Sequence, residues 1–204
     1  MRMNFKHALA LATICITGFS QILPAQSTYK LSGSKDNNMK LSGTSTRHDW
    51  VMTAHAFTGE AQFGFNPENE NQLTSLESLT FSLPVLNLKS DKKKLDRNAY
   101  KALKTGLHKN IIYTFISATI LPEGENEYLV RTIGNLSIAG VTKEVTMNVN
   151  CIVGKDSAIT CTGSYKLKMT DYEVKPPSFM LGAMKTGDAV TLDFTMVYKK
   201  QPGI

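Results

Sequence analysis

Three sets of side chains in this sequence have the chemistry to act on something: a histidine–aspartate set, a pair of cysteines and a run of lysines. His48, Asp49 and His55 fall within "RHDWVMTAH", and imidazole with carboxylate is a zinc-binding vocabulary. Such a site needs three ligands converging on one point. Positions 48 and 55 differ by an odd number, so on a continuous strand they face opposite sides. No metal site is expected, and no catalytic residue or cofactor either. No nucleophile elbow or Cys-His motif frames the serines and histidines, and no glycine-rich phosphate loop follows a strand.

Cys151 and Cys161 flank "GKDSA". With the turn centred on Asp156, the opposed pairs are Val153 with Ile159 and Cys151 with Cys161. Directly opposed cysteines come close enough to form a disulfide. Closing so short a loop adds about 2–3 kcal/mol in the chain-entropy model. The lysine run is "SDKKKLDRNAYKALKTG", in which Lys92, Lys93 and Lys94 open a helix and oppose its dipole. An anionic end group or an anionic membrane surface would give them a purpose, with Lys94, Arg97 and Lys101 as the contacts. A solvated cationic face is the plainer reading.

The elements that must position these groups are strands. Residues 145–169 alternate: Val145, Met147, Val149, Cys151 and Val153, then Ile159, Cys161, Gly163, Tyr165, Leu167 and Met169, share one face. Period-2 alternation means one buried and one wet face. "NNMKLSGTS" sets Met39, Leu41 and Gly43 in phase. "WVMTAHAFTGEAQFGF" reads as one long strand or two joined by a bulge, with Phe57, Gly59, Ala61, Phe63 and Phe65 together. "PENENQ" reads as a polar turn. Leu79, Phe81, Leu83 and Val85 then alternate, and Pro84 argues for an edge or a bulge. The last strand carries Val190, Leu192, Phe194, Met196 and Tyr198. One helix of about three turns breaks the pattern near 91–105, with Asp91 as N-cap, Gly106 at the C-terminal cap, and Leu95, Ala99, Ala102 and Leu103 on its apolar side. About eight strands and one inserted helix indicate an all-β domain, a closed antiparallel barrel or a sandwich.

The chain of 204 residues opens with Arg2 and Lys6 ahead of an apolar run, Ala8–Phe19, and then "SQILPA". That is the layout of a cleavable secretory signal peptide, too short to span a bilayer. Cleavage is expected after Ala25, with Ser20 as the alternative; bulky Ile14 before Cys15 argues against a lipoprotein. The domain is then 26–204, exported to an oxidising compartment where a disulfide persists. Without Arg2 and Lys6 the balance is 21 basic to 17 acidic residues, a net +4. That mild charge suits solubility or approach to anionic lipid. No basic run interleaved with aromatics points to nucleic acid.

Three stretches together resemble the YceI-like family of exported bacterial proteins: "GNLSIAGVTKEVTMNV" (134–149), "LKSDKKKLDRNAYKALK" (88–104) and "DYEVKPPSFMLGAMKTGDAVTLDF" (171–194). The likeness runs from about Thr44 to Lys199. "TSTRHDW" stands where many members carry a His-Ser motif, a departure that bears on the ligand more than on the fold. The resemblance implies a single lipocalin-like barrel of eight antiparallel strands whose lumen takes a long apolar chain, a polyisoprenoid in characterised members.

A barrel of eight strands is either plugged by its own side chains or wide enough for one ligand. The inward positions carry no charge, and Gly43, Gly59, Ala61 and Gly163 open space beside Phe63, Phe81, Tyr165 and Phe194. The candidate lumen set is Phe57, Phe63, Phe81, Leu83, Val149, Gly163, Tyr165 and Phe194. Phe179, Met180 and Met184 in "PPSFMLGAM" form a candidate gate, and Trp50 a core aromatic closing one end. The leading expectation is a non-enzymatic carrier of a polyisoprenoid or quinone-like lipid. The alternative is a plugged barrel acting as an envelope interaction protein; a hydrolase or isomerase is a distant third.

Overall fold

The computed structural model describes residues 27–33, 35–179 and 184–202. The expected signal peptide (1–25) and Met180 lie outside the described residues, and of Phe179 and Met184 only the backbone is described. Among the described residues eleven strands make one antiparallel sheet with a single α-helix: β1 (Ser27–Leu31), β2 (Asn38–Ser45), β3 (Trp50–Ala54), β4 (Thr58–Asn66), β5 (Asn69–Pro84), α1 (Lys93–Ala102), β6 (Asn110–Gly124), β7 (Glu127–Ile138), β8 (Val141–Val153), β9 (Ile159–Lys168), β10 (Ser178–Phe179) and β11 (Met184–Lys200).

The strands close into a ring. β1 pairs with β4, the ladder continues through β5, β6, β7, β8 and β9 to β11, and β11 returns to β1. That is an eight-stave antiparallel barrel. Two staves are interrupted. β1 and β2 lie end to end along β11, pairing Leu31 with Tyr198 and Asn38 with Thr195, while β3 pairs with β2 and β4 with β1. The break at 32–37 is repaired by Asn37, a buried polar side chain. Its Nδ2 donates to Ser32 O at 2.9 Å and its Oδ1 accepts from Val197 N at 2.8 Å. The second break spans His55–Phe57, so 50–65 is two strands and the continuous strand assumed for His48 and His55 does not exist.

Local chemistry explains the boundaries. β7 and β8 are joined by Ala139 and Gly140, both with positive φ (51° and 90°), the backbone of a type I′ hairpin whose twist suits the strands. The 154–158 turn is held by Gly154 N donating to Ala158 O and by Asp156 Oδ1 accepting from Ala158 N. Register across it is as expected, Cys151 opposite Cys161 and Val153 opposite Ile159. The polar turn before β5 is shorter than its composition suggested: Asn69–Gln72 already belong to the strand, and β5 ends at Pro84, which cannot donate to a ladder.

The helix starts differently from expectation. Lys92 occupies the N-cap, with no side-chain capping bond, and Asp91 does not cap. Ser90 and Asp96 hold this end instead: Asp96 Oδ1 accepts from Ser90 N (2.8 Å) and Ser90 Oγ (2.6 Å), burying the one acidic group of the first turn. At the other end the left-handed residue is Lys104 (φ 53°), not Gly106.

Cys151 and Cys161 are free thiols with sulfurs 2.8 Å apart. The cross-strand register expected for these two residues is present.

Candidate functional site: an apolar lumen with a cationic vestibule

The barrel interior splits into a packed end and a hollow end. At the β1 end Tyr29, Phe63 and Tyr198 stack edge to face, centroids 5.3 and 5.8 Å apart, and Phe65 lies against Tyr29. Tyr128 adds its hydroxyl, which accepts from Leu73 N and donates to Asn71 O. These rings stopper the bore. Beyond them a cavity of about 240 Å³, open to the centre of a water molecule, extends toward the β2–β3 end. All five inward side chains of β11, from Val190 to Tyr198, line it, a run of roughly 27 Å at about 3.3–3.4 Å per residue.

Among the described residues no Lys, Arg, Asp or Glu lines this lumen. Its few polar groups are held neutral or satisfied. Tyr113 Oη and Thr132 Oγ1 bond each other at 2.7 Å. Burial pushes up the pKa of Tyr113 and Tyr198, and that of Tyr172 to about 12. The Cys161 thiol is pushed up by its hydrogen bond to Cys151 and by burial, which keeps it protonated and a poor nucleophile. The wall offers apolar contact and little else.

What keeps the bore hollow is glycine placed under aromatic rings. A methyl group on Gly43 would collide with the Trp50 ring, on Gly134 with Tyr113, and on Gly163 with Phe194. Each ring therefore lies down against the wall instead of standing in the lumen.

Among the described residues five methionines, Met39, Met52, Met147, Met169 and Met196, also line the cavity. Sequence reasoning set Met39, Met147, Met169 and Met196 on inward faces but gave methionine a binding role only in the candidate gate, and it missed Met52. Their signal was present, since each sits on the inward phase of its strand or at a strand end. Unbranched thioether side chains refit around an irregular guest.

The expected lumen set divides. Phe63, Phe81, Leu83, Val149 and Phe194 line the cavity, as do both cysteines. Gly163 lies beneath Phe194 rather than in the open wall. Phe57 falls in the break between β3 and β4, outside the ladder, and its ring rests on Phe81 at 5.3 Å. Tyr165 is half-buried against the core, with Asp171 and Tyr172 as its electrostatic neighbours. For the gate, Pro177 and Thr186 border the cavity.

The open end adjoins a second, polar space. Ser45, residues 47–51, the start of α1 and Lys185 surround it, and it shares Trp50, Leu95, Asn98 and Thr186 with the lumen. Its charged lining is Arg47, Lys92, Lys94 and Lys185 against Asp49 and Asp91, a cationic excess. Ser45 organises the loop, its Oγ accepting from His48 N (3.2 Å) and donating to His48 O (2.6 Å). Trp50 Nε1 donates to Thr44 O at 3.1 Å, so this ring forms the doorway between the two spaces rather than closing an end. His48 Nε2 lies 3.1 Å from Lys92 Nζ, while His55 Nδ1 lies 3.3 Å from Asn37 O. Of the candidate headgroup cations, Lys94 reaches the vestibule; Arg97 and Lys101 do not. An uncharged tunnel behind a cationic porch can hold an amphiphile with an anionic or polar end.

Comparison with known proteins supports the architecture. No curated protein sequence matches the chain. Among solved structures it is similar to Burkholderia cenocepacia BcnA, with TM-score 0.62 and 16% identity over 82% of this chain and 98% of that one. It is also similar to a polyisoprenoid binding domain from Saccharophagus degradans, with TM-score 0.64 and 13% identity over 85% and 98%. A Campylobacter jejuni YceI protein superposes with TM-score 0.51 and 16% identity over 71% and 82%. At these identities the likeness is one of fold. The model of the YceI-like domain, by contrast, matches residues 21–198, nearly the whole barrel, and the chain therefore belongs to the YceI-like family.

Proposed function

We propose that this protein is a non-enzymatic carrier that shelters one long apolar lipid, a polyisoprenoid or a quinone-like tail, in its barrel after export to the periplasm. The observation that carries the reading is the uncharged lumen of about 240 Å³, stoppered at one end and open at the other. Each CH₂ buried there contributes about 0.8 kcal/mol, so a chain of a few prenyl units outweighs any single hydrogen bond. The volume is below the roughly 300–1,000 Å³ usual for small-molecule pockets; the methionines of the wall move aside as the chain enters. A structural relative described as a polyisoprenoid binding domain fits this reading. The cations of the vestibule take the end group.

Export would bring Cys151 and Cys161 into an oxidising compartment, where their register closes a disulfide. Native mass spectrometry of the protein purified from its own host's periplasm tests all three parts. The expected result is a chain beginning near Gln26, a 2 Da gain on reduction, and a stoichiometric apolar ligand recovered by lipid extraction. Repeated ligand-free preparations that also refuse added prenyl lipids would end the carrier reading.

A further inference from the structure

The helix over the lumen mouth has two faces with different jobs. Leu95, Ala99, Ala102 and Leu103 line the lumen. Arg97 and Lys101, four apart, lie on one side of the helix and are exposed, while Lys94 lines the vestibule. Beyond its C-terminal end stand Lys104, Leu107 and Lys109. Leu107 is 82% exposed and Leu86 53%. The two leucines share one rim. Val85 N donates to Lys109 O at 2.9 Å, and Tyr100 Oη donates to Leu86 O (3.2 Å) and Leu88 O (2.8 Å), tying the helix to the Leu86 loop. Ile112, on the outer face of β6 opposite Ser82, is a further exposed apolar side chain on the strand that follows.

Charge decides what this rim meets. From Arg97 to Pro122 the sequence has no acidic residue and carries Arg97, Lys101, Lys104 and Lys109. Exposed leucines ringed by cations have the composition of a surface that lies in the headgroup layer of an anionic bilayer. The leucines enter the acyl boundary while the lysines reach phosphates.

We propose that the rim formed by Leu86, Leu107 and the outer face of α1 docks on an anionic membrane surface and sets the lumen mouth against the bilayer. A carrier loaded from a membrane has this orientation, although docking itself does not depend on what fills the lumen.

Co-sedimentation of the purified protein with vesicles tests it, comparing phosphatidylglycerol with phosphatidylcholine vesicles at low salt. The protein should pellet with the anionic vesicles only and be released at molar salt, where screening extends to about 3 Å. Leu107→Ser should lower the partition coefficient roughly tenfold. The double variant Arg97→Gln, Lys101→Gln should lower it about twenty-fivefold, near fivefold per cation. Both variants alter exposed positions, so thermal melting should match the parent. Prenyl-lipid loading, followed through the single tryptophan Trp50, should be unaffected by Leu107→Ser. Equal pelleting of parent and variants overturns the proposal, as does binding to neither vesicle. A Leu107-dependent dimer in sedimentation velocity, without vesicle binding, overturns it by assigning the face to a second copy. Failure of Trp50-monitored loading with intact vesicle docking would instead count against the carrier reading alone.

Discussion

At the scale of single residues, Asn37 does the most with the least. It supplies both a donor and an acceptor to backbone groups that the broken first stave would leave without ladder partners. Nothing in its sequence context, a polar loop before an alternating strand, marks it as buried. Asn37→Ala leaves Val197 N and Ser32 O unsatisfied, and a buried group so orphaned costs about 1–3 kcal/mol. Urea denaturation should show a loss of that size with the slope unchanged. An effect within about 0.5 kcal/mol, the range of ordinary surface substitutions, would show that water replaces the side chain without cost. Asp96 is a second such residue. It reads as one more charge in a basic helix, yet its carboxylate is bound by Ser90 and buried.

At the scale of elements, cross-strand register decides whether a strand face packs or opens. Phe194 is paired with Gly163 and Trp50 with Gly43, so two large rings find room to lie flat on the neighbouring strand. Alternation placed these glycines on the inward face, but only the register says which aromatic ring uses each one. Gly163→Ala pushes the Phe194 ring off the wall into the bore. Overpacking of that kind costs about 1–3 kcal/mol, and the displaced ring narrows the lumen beside Val149. The variant should melt earlier than the parent and load prenyl lipid more weakly. Unchanged loading by a folded Gly163→Ala variant would show that the ring escapes outward and that the bore at this level is not limiting.

At the scale of the whole molecule, the two ends of the barrel are unlike. Tyr29, Phe63 and Tyr198 stopper one end, and the other opens between Trp50 and α1 onto cations contributed by three distant segments. The arrangement predicts polarity in the ligand: tail toward Tyr198, end group toward Arg47 and Lys185. A chain such as geranylgeranyl diphosphate should bind more tightly than geranylgeraniol. The double variant Arg47→Gln, Lys185→Gln should reduce that preference roughly tenfold or more, since charge-assisted hydrogen bonds contribute about 1.5–3 kcal/mol each. Binding of the alcohol should stay as it was. Trp50 fluorescence reads both titrations, and a preference untouched by the double variant would separate the vestibule from ligand recognition.

Periodicity by itself determined the longer strands, the uncharged inward faces, the 154–158 turn with Cys151 opposite Cys161, and the helix with its apolar side, because each follows from neighbours within one or two elements; the short strands β1 and β10 left no such trace. The hollow of the barrel was beyond such local rules. It depends on which ring meets which glycine across a ladder, on Asn37 reaching a backbone 160 positions away, and on Arg47, Lys92 and Lys185 gathering at one mouth. Those are distances between segments far apart in the chain, and only closure of the sheet brings them together.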